Sequence, residues 1–138
     1  MAASVIACAV AADVAIKRVF GRPPRRTGPG PTHADDVWIP AGDSSLRGWL
    51  MAAPGNAPGA VVIHGWGGNA ADMVPVAVRL HALGINVLLF DAHGHGRSPG
   101  ITVSSMPAFA QDVRDATRWL RSRPGVDAAR VVLVGHSV

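Results

Sequence analysis

Hydrophobic and polar positions change rhythm at Asp36. Downstream of it, Val37-Trp38-Ile39 and Leu46 to Met51 read as two strands joined by the turn Ala41-Gly42-Asp43-Ser44. Ala60-Val61-Val62-Ile63, Val87-Leu88-Leu89-Phe90 and Val131 to Val134 are short unbroken apolar runs, the pattern of strands buried on both faces. Between them, Asn69 to Leu83 reads as a helix, with Asp72 near its start, Pro75 acceptable in its first turn and Gly84 as its terminator. Ser105 to Arg123 is the clearest helix. Met106, Ala110, Val113, Thr117 and Leu120 recur at three- and four-residue steps and predict one apolar stripe. Asp115 and Arg118 can pair on its polar side, and Pro124-Gly125 ends it. A hairpin followed by strand, helix, strand, helix and strand predicts an α/β fold in which helices pack on a largely parallel sheet.

The first 35 residues follow other rules. Residues 1–20 form an apolar leader, and 21–35 a linker in which Pro23, Pro24, Pro29 and Pro31 forbid regular helix or central strand. Residues 36–138 are then a single partial domain. The apolar run Met1 to Ile16 is shorter than the about 20 residues a membrane span needs, and its positive charges follow it where a secretory signal places them first. Two readings of the leader stay open: an unstructured tail, or weak membrane association with the rest of the chain on the cytoplasmic side.

Charge sharpens this division. Lys17, Arg18, Arg22, Arg25 and Arg26, set against Asp13, account for the whole net charge of +4, and the eight basic and eight acidic residues beyond position 30 cancel. The body therefore lacks the basic, aromatic-interleaved stripe that nucleic-acid binding requires. A hydrophobic content of 49% is enough for a buried core. Cys8, the single cysteine, excludes an internal disulfide and a cysteine metal cluster, and fits a reducing, cytoplasmic setting.

Each of the three apolar runs ends in a non-random loop, where parallel sheets place their chemistry. The third runs into Gly135-His136-Ser137-Val138. A nucleophilic serine needs a sharp strand-to-helix turn that lifts its hydroxyl clear of the sheet, and a glycine two residues before it, here Gly135, makes room. The first run ends in His64-Gly65-Trp66-Gly67-Gly68, whose glycines let backbone N–H groups approach a ligand. The second ends in Asp91-Ala92-His93-Gly94-His95-Gly96-Arg97-Ser98.

In order and spacing these motifs resemble the N-terminal part of an α/β-hydrolase of the monoacylglycerol lipase or serine aminopeptidase type. The resemblance implies a hairpin followed by parallel strands with flanking helices, interrupted at the nucleophile elbow. It implies an esterase- or lipase-like acyl hydrolase with Ser137 as nucleophile. It further implies the backbone N–H groups of Trp66 and Val138 as the oxyanion hole, His64, Gly65 and Gly135 as motif support, and a small acyl substrate. It implies no metal, flavin or nucleotide. A serine at the elbow separates the chain from dehalogenases and epoxide hydrolases, which use aspartate there. The 91–98 loop departs from the family's Asp-x-Arg-Gly-His-Gly-x-Ser pattern at His93, which stands where arginine is usual, and it is expected to be structural.

Rival readings remain. Gly65-x-Gly67-x-x-Ala70 after a strand, with Asp91 ending the next, is a passable dinucleotide fingerprint and would make this an NAD(P)-binding oxidoreductase domain. Asp91, His93 and His95 loosely suggest a metal site, although Arg97 and Ser98 stand where further ligands should be. A third reading is an inactive fragment or pseudoenzyme. The family's order is serine, acid, histidine, and none of the six histidines here follows Ser137.

Overall fold

A computed structural model describes residues 25–100 and 104–137. The leader, most of the charged cluster, Cys8 and Val138 lie outside the described residues. Strands β1 (Asp35–Ala41) and β2 (Ser44–Met51) form the expected hairpin, closed at the pair Ala41 and Ser44. Strands β3 (Ala57–Ile63), β4 (Asn86–Phe90) and β5 (Val126–Gly135) complete one sheet in the order β1-β2-β4-β3-β5. β2 meets β4 antiparallel, and β3 runs parallel to both β4 and β5. The C-terminal ends of β3, β4 and β5 therefore share one edge of the sheet.

Alternation along β3 and β4 feeds two cores. On one face Val61, Ile63, Leu88 and Phe90 pack with Ile39, Leu46 and helix α2 (Met106–Arg121). On the other, Ala60, Val62, Val87 and Leu89 pack with Trp49, Met51 and Ala77 of helix α1 (Val74–Ala82). All five residues of β4 are buried, which is why it reads as an unbroken apolar run.

The structure corrects three expectations. The helix expected over 69–83 is divided: a 3₁₀ turn, Ala70–Met73, precedes α1. Asn69 caps that turn. It accepts a hydrogen bond from Ala71 N–H, and Asp72 reaches back to the Asn69 N–H at 3.0 Å. The stripe on α2 is rotated from the expected one, keeping Leu120 and the partly buried Val113 at the core. Phe109, Asp112, Asp115, Ala116 and Leu120 are buried, whereas Met106 is 62% exposed. Thirdly, the run 131–134 is not buried on both faces. β5 ends the sheet, and Val132 and Leu133 are 53% and 58% exposed because no element among the described residues covers them.

The opposite end of the sheet is held by a single amide. The Asn86 side chain donates to the carbonyls of Ala57 at 3.1 Å and Gly125 at 2.9 Å and accepts from Ala53 N–H at 2.8 Å. It thus joins the starts of β3, β4 and β5. The 21–35 segment is not detached from the sheet throughout: Pro31 is buried and Gly30 lies against the Trp49 ring.

Two outcomes follow. Asn86→Ala leaves buried backbone groups unpaired and should lower unfolding stability by about 2–3 kcal/mol, read from urea denaturation midpoints. The 138-residue polypeptide made alone should self-associate through the open β5 edge, and Leu133→Lys should reduce that association in sedimentation velocity. A concentration-independent monomer before substitution would refute the second expectation.

Candidate active site

The loops that follow β3 and β5 line one cleft of about 620 Å³, and the 91–98 loop packs against the 64–68 loop without lining it. Ser137, Gly135, His64, Gly65 and Trp66 all line it, with Arg26, Met73 and Val76 on its rim. Ser137 has φ +46°, a backbone state that non-glycine residues rarely adopt. Among the described residues only His33, in an exposed turn, shares it.

Gly65 makes the elbow's position possible. A Cβ there would collide with the carbonyl oxygens of His136, 2.6 Å away, and Ser137. At Gly135 an added Cβ would meet only Ile63 at 3.5 Å, an ordinary contact. Among the described residues the tight approach therefore falls on the facing loop and not on the glycine that precedes the serine. His136 N–H donates to the Ile63 carbonyl at 3.3 Å, which aligns the ends of β5 and β3.

The 64–68 loop is a turn in which Gly68 N–H donates to the Gly65 carbonyl at 3.0 Å and Gly67 takes φ +76°, the geometry of a type II turn. His64 Nδ1 donates to that same carbonyl at 2.7 Å, and its Nε2 accepts from Ala92 N–H at 3.1 Å. His95 mirrors it: Nδ1 donates to the His93 carbonyl at 3.0 Å, and Nε2 accepts from Gly67 N–H at 3.1 Å. A carbonyl can only accept and a backbone N–H can only donate, so both imidazoles are neutral and carry their proton on Nδ1. The rings lie 4.9 Å apart, and both meet the Phe109 ring edge-on. Burial pushes both pKa values below the ordinary histidine range. For His64 the Gly65 bond and the carboxylates of Asp91, Asp72 and Asp112 oppose that shift. For His95 the His93 bond, Asp91 and Asp112 oppose it, while His64 adds to it.

The 91–98 loop is equally committed. Asp91 accepts from Ala70 N–H at 2.7 Å and from Arg97 N–H at 3.0 Å, one oxygen each. Ser98 donates to the Asp91 carbonyl at 2.6 Å and accepts from Arg47 N–H at 2.9 Å, which fastens the loop to β2. His93 meets the buried Asp112 of α2 at 2.6 Å, and its N–H donates to the second oxygen at 2.8 Å. Sequence reasoning assigned no role to Asp112, and it considered His95 only as part of a rival metal site or as structural. Their signal lay in the polar residues of an otherwise apolar environment, which becomes visible only once the packing is known.

These bonds bear on the rival readings. A dinucleotide site needs a free Gly67 N–H and an Asp91 carboxylate open to a ribose. Here the first is given to His95, and the second is buried with both oxygens occupied. Among the described residues no group of three His, Cys, Asp or Glu side chains is placed to hold a metal. No helix among them is long and apolar enough to cross a membrane. His64 and His95 have both ring nitrogens engaged, so neither is free to serve as a base for Ser137.

Known proteins fit the same picture. The family model described as serine aminopeptidase, S33, matches residues 57–138. An uncharacterized Mycobacterium tuberculosis protein is 38% identical over 95 residues, covering 67% of this chain and 33% of its own. A thiohydrolase of Aspergillus aculeatus is 31% identical over 109 residues, covering 77% of this chain and 34% of its own. Among solved structures, the Pyrococcus furiosus esterase Pf2001 superposes with a TM-score of 0.74 at 26% identity, covering 84% of this chain and 46% of that one. The chain thus spans a third to two fifths of the length of the curated relatives it matches.

Because His64 and His95 fold in their neutral forms, the unfolded chain binds protons more readily than the folded one. Stability should be full above about pH 6.5 and fall as pH drops below it, in the window between the ordinary value and the depressed folded values. Urea midpoints taken across that range check this, and His95→Gln should flatten the dependence.

Proposed function

The chain belongs to the S33 serine aminopeptidase-like family of α/β-hydrolases, and on that premise we propose that it carries the nucleophile and oxyanion-hole portion of a serine hydrolase acting on esters or thioesters. The observation that carries this reading is the positive φ of Ser137 at the end of β5, seated against the glycine loop that follows β3. The activities of two similar proteins, an esterase and a thiohydrolase, support the substrate class.

In this reading the Ser137 hydroxyl attacks the carbonyl carbon of the acyl group and forms a tetrahedral intermediate. The N–H groups of Trp66 and Val138 stabilise its oxyanion. Trp66 N–H is suited to this because it has no hydrogen-bond partner among the described residues, while the N–H groups of Gly67 and Gly68 are both used within the loops. A histidine takes the serine proton and returns it to the leaving group, and an acid orients that histidine. The family's chain order places both after Ser137, so we assign them to polypeptide beyond Val138. The 138 residues alone are then inactive.

The full-length protein should be labelled by a fluorophosphonate probe at Ser137. Ser137→Ala should abolish labelling and lower ester turnover by at least about 1,000-fold. Residues 1–138 alone should label weakly or not at all. Labelling of the full-length protein at another serine would overturn the assignment.

A further inference from the structure

The oxyanion loop contains two consecutive peptide planes whose directions decide what faces the cleft. The first joins Gly65 to Trp66. Its carbonyl is held from below by His64 Nδ1 at 2.7 Å and by Gly68 N–H at 3.0 Å. In a trans peptide the N–H points opposite to the carbonyl, so anchoring the Gly65 oxygen inward aims the Trp66 N–H outward. The second plane joins Trp66 to Gly67. A type II turn differs from type I mainly by a flip of this central peptide. Here the Gly67 N–H is held by His95 Nε2 at 3.1 Å, which fixes the flip.

Each imidazole is in turn anchored by the other loop. His64, from the β3 loop, accepts from Ala92 in the β4 loop, and His95, from the β4 loop, accepts from Gly67 in the β3 loop. The two rings are thus a reciprocal brace. Both are buried, lie tilted against each other at 4.9 Å and meet Phe109 edge-on.

We propose that His95 and His64 are positioning residues of the oxyanion hole, which in their Nδ1–H tautomers lock the two peptide planes of the 64–68 loop so that the Trp66 N–H faces the acyl carbonyl. This rests on the serine-hydrolase reading and assigns a role in that chemistry to a loop whose motif suggested only structure. His95 never touches substrate. It acts through the Gly67 peptide, so its loss raises the barrier to chemistry and leaves substrate binding largely intact.

The test compares His95→Leu with His95→Gln in the full-length protein. Leucine removes the acceptor, whereas the glutamine amide can place a carbonyl oxygen near the position of Nε2. With p-nitrophenyl acetate, His95→Leu should lose ~10- to 100-fold in kcat, with KM within about twofold, and His95→Gln should recover most of the loss. Gly67 amide exchange should be at least about tenfold faster in His95→Leu and close to wild type in His95→Gln. Imidazole nitrogen shifts of the wild type should show Nε2 unprotonated on both histidines.

An unchanged kcat in a folded His95→Leu, or a folded His95→Gln as slow as His95→Leu, overturns the proposal. So does a protonated Nε2 or a freely exchanging Gly67 amide in the wild type. If His95→Leu does not fold, His95→Gln and the two wild-type NMR readouts decide. Failure of the underlying reading has its own signature: a wild-type protein that fluorophosphonate leaves unlabelled at Ser137, while the exchange and nitrogen data still judge the brace.

Discussion

The Asp91 carboxylate is the point on which the upper edge of the sheet depends. It stands at the end of β4, between the two strands' worth of loop that must be kept in register, and it holds both. One oxygen takes the first N–H of the 3₁₀ turn after the 64–68 loop, and the other takes Arg97 N–H from its own loop. An apolar replacement of this buried side chain would strand both backbone donors. Gly96 leaves the room for this: a side chain there would collide with the carboxyl group. From this node the histidine brace, the Ser98 tie to β2 and the His93 contact with α2 all extend outward.

Parallel pairing gives that node its importance. β3, β4 and β5 end together, so three loops separated by up to some seventy residues of sequence meet at one place. The backbone donors of those loops are numerous, and Phe109 packs edge-on against both histidines that accept from them. The N–H groups of Gly67, Ala70, Ala92 and Arg97 each have a side-chain partner. The N–H of Trp66, which lines the cleft, has no such partner among the described residues. The cluster operates as rigid support, and the mobile chemistry of acyl transfer is confined to the groups that face outward.

Much of this was legible in the sequence. The hairpin, β3 and β4 were plain because they are apolar runs bounded by turn residues, and Gly84 and Pro75 sit where the helix pattern asks for them. The site residues Ser137, His64, Gly65 and Trp66 were legible as strand-end motifs and do line one cleft. Other features were hidden for definite physical reasons. The capping box of Asn69 and Asp72 tightens the first turn to 3₁₀, and a window of residue types does not distinguish that from α-helix. β5 has the composition of an interior strand, but its exposure depends on its place in the sheet, which composition does not encode. His95 was set aside as structural because its function passes through a neighbour's backbone.

Helix α2 carries a consequence of a different kind. Its two candidate stripes, one through Met106 and Ala110, the other through Phe109, Asp112 and Ala116, lie about 100° apart around the cylinder, a single residue's step. Hydrophobicity alone discriminates poorly between such settings, since each presents a serviceable row of small and apolar side chains. Asp112 resolves the ambiguity. In one setting it meets His93 and the His93 N–H; in the other it would be swung away and leave both unmatched. The carboxylate therefore acts as an indexing pin that fixes the helix's azimuth. Because Phe109 is on the same face, the azimuth of α2 also sets where the ring that closes over the two histidines comes to rest.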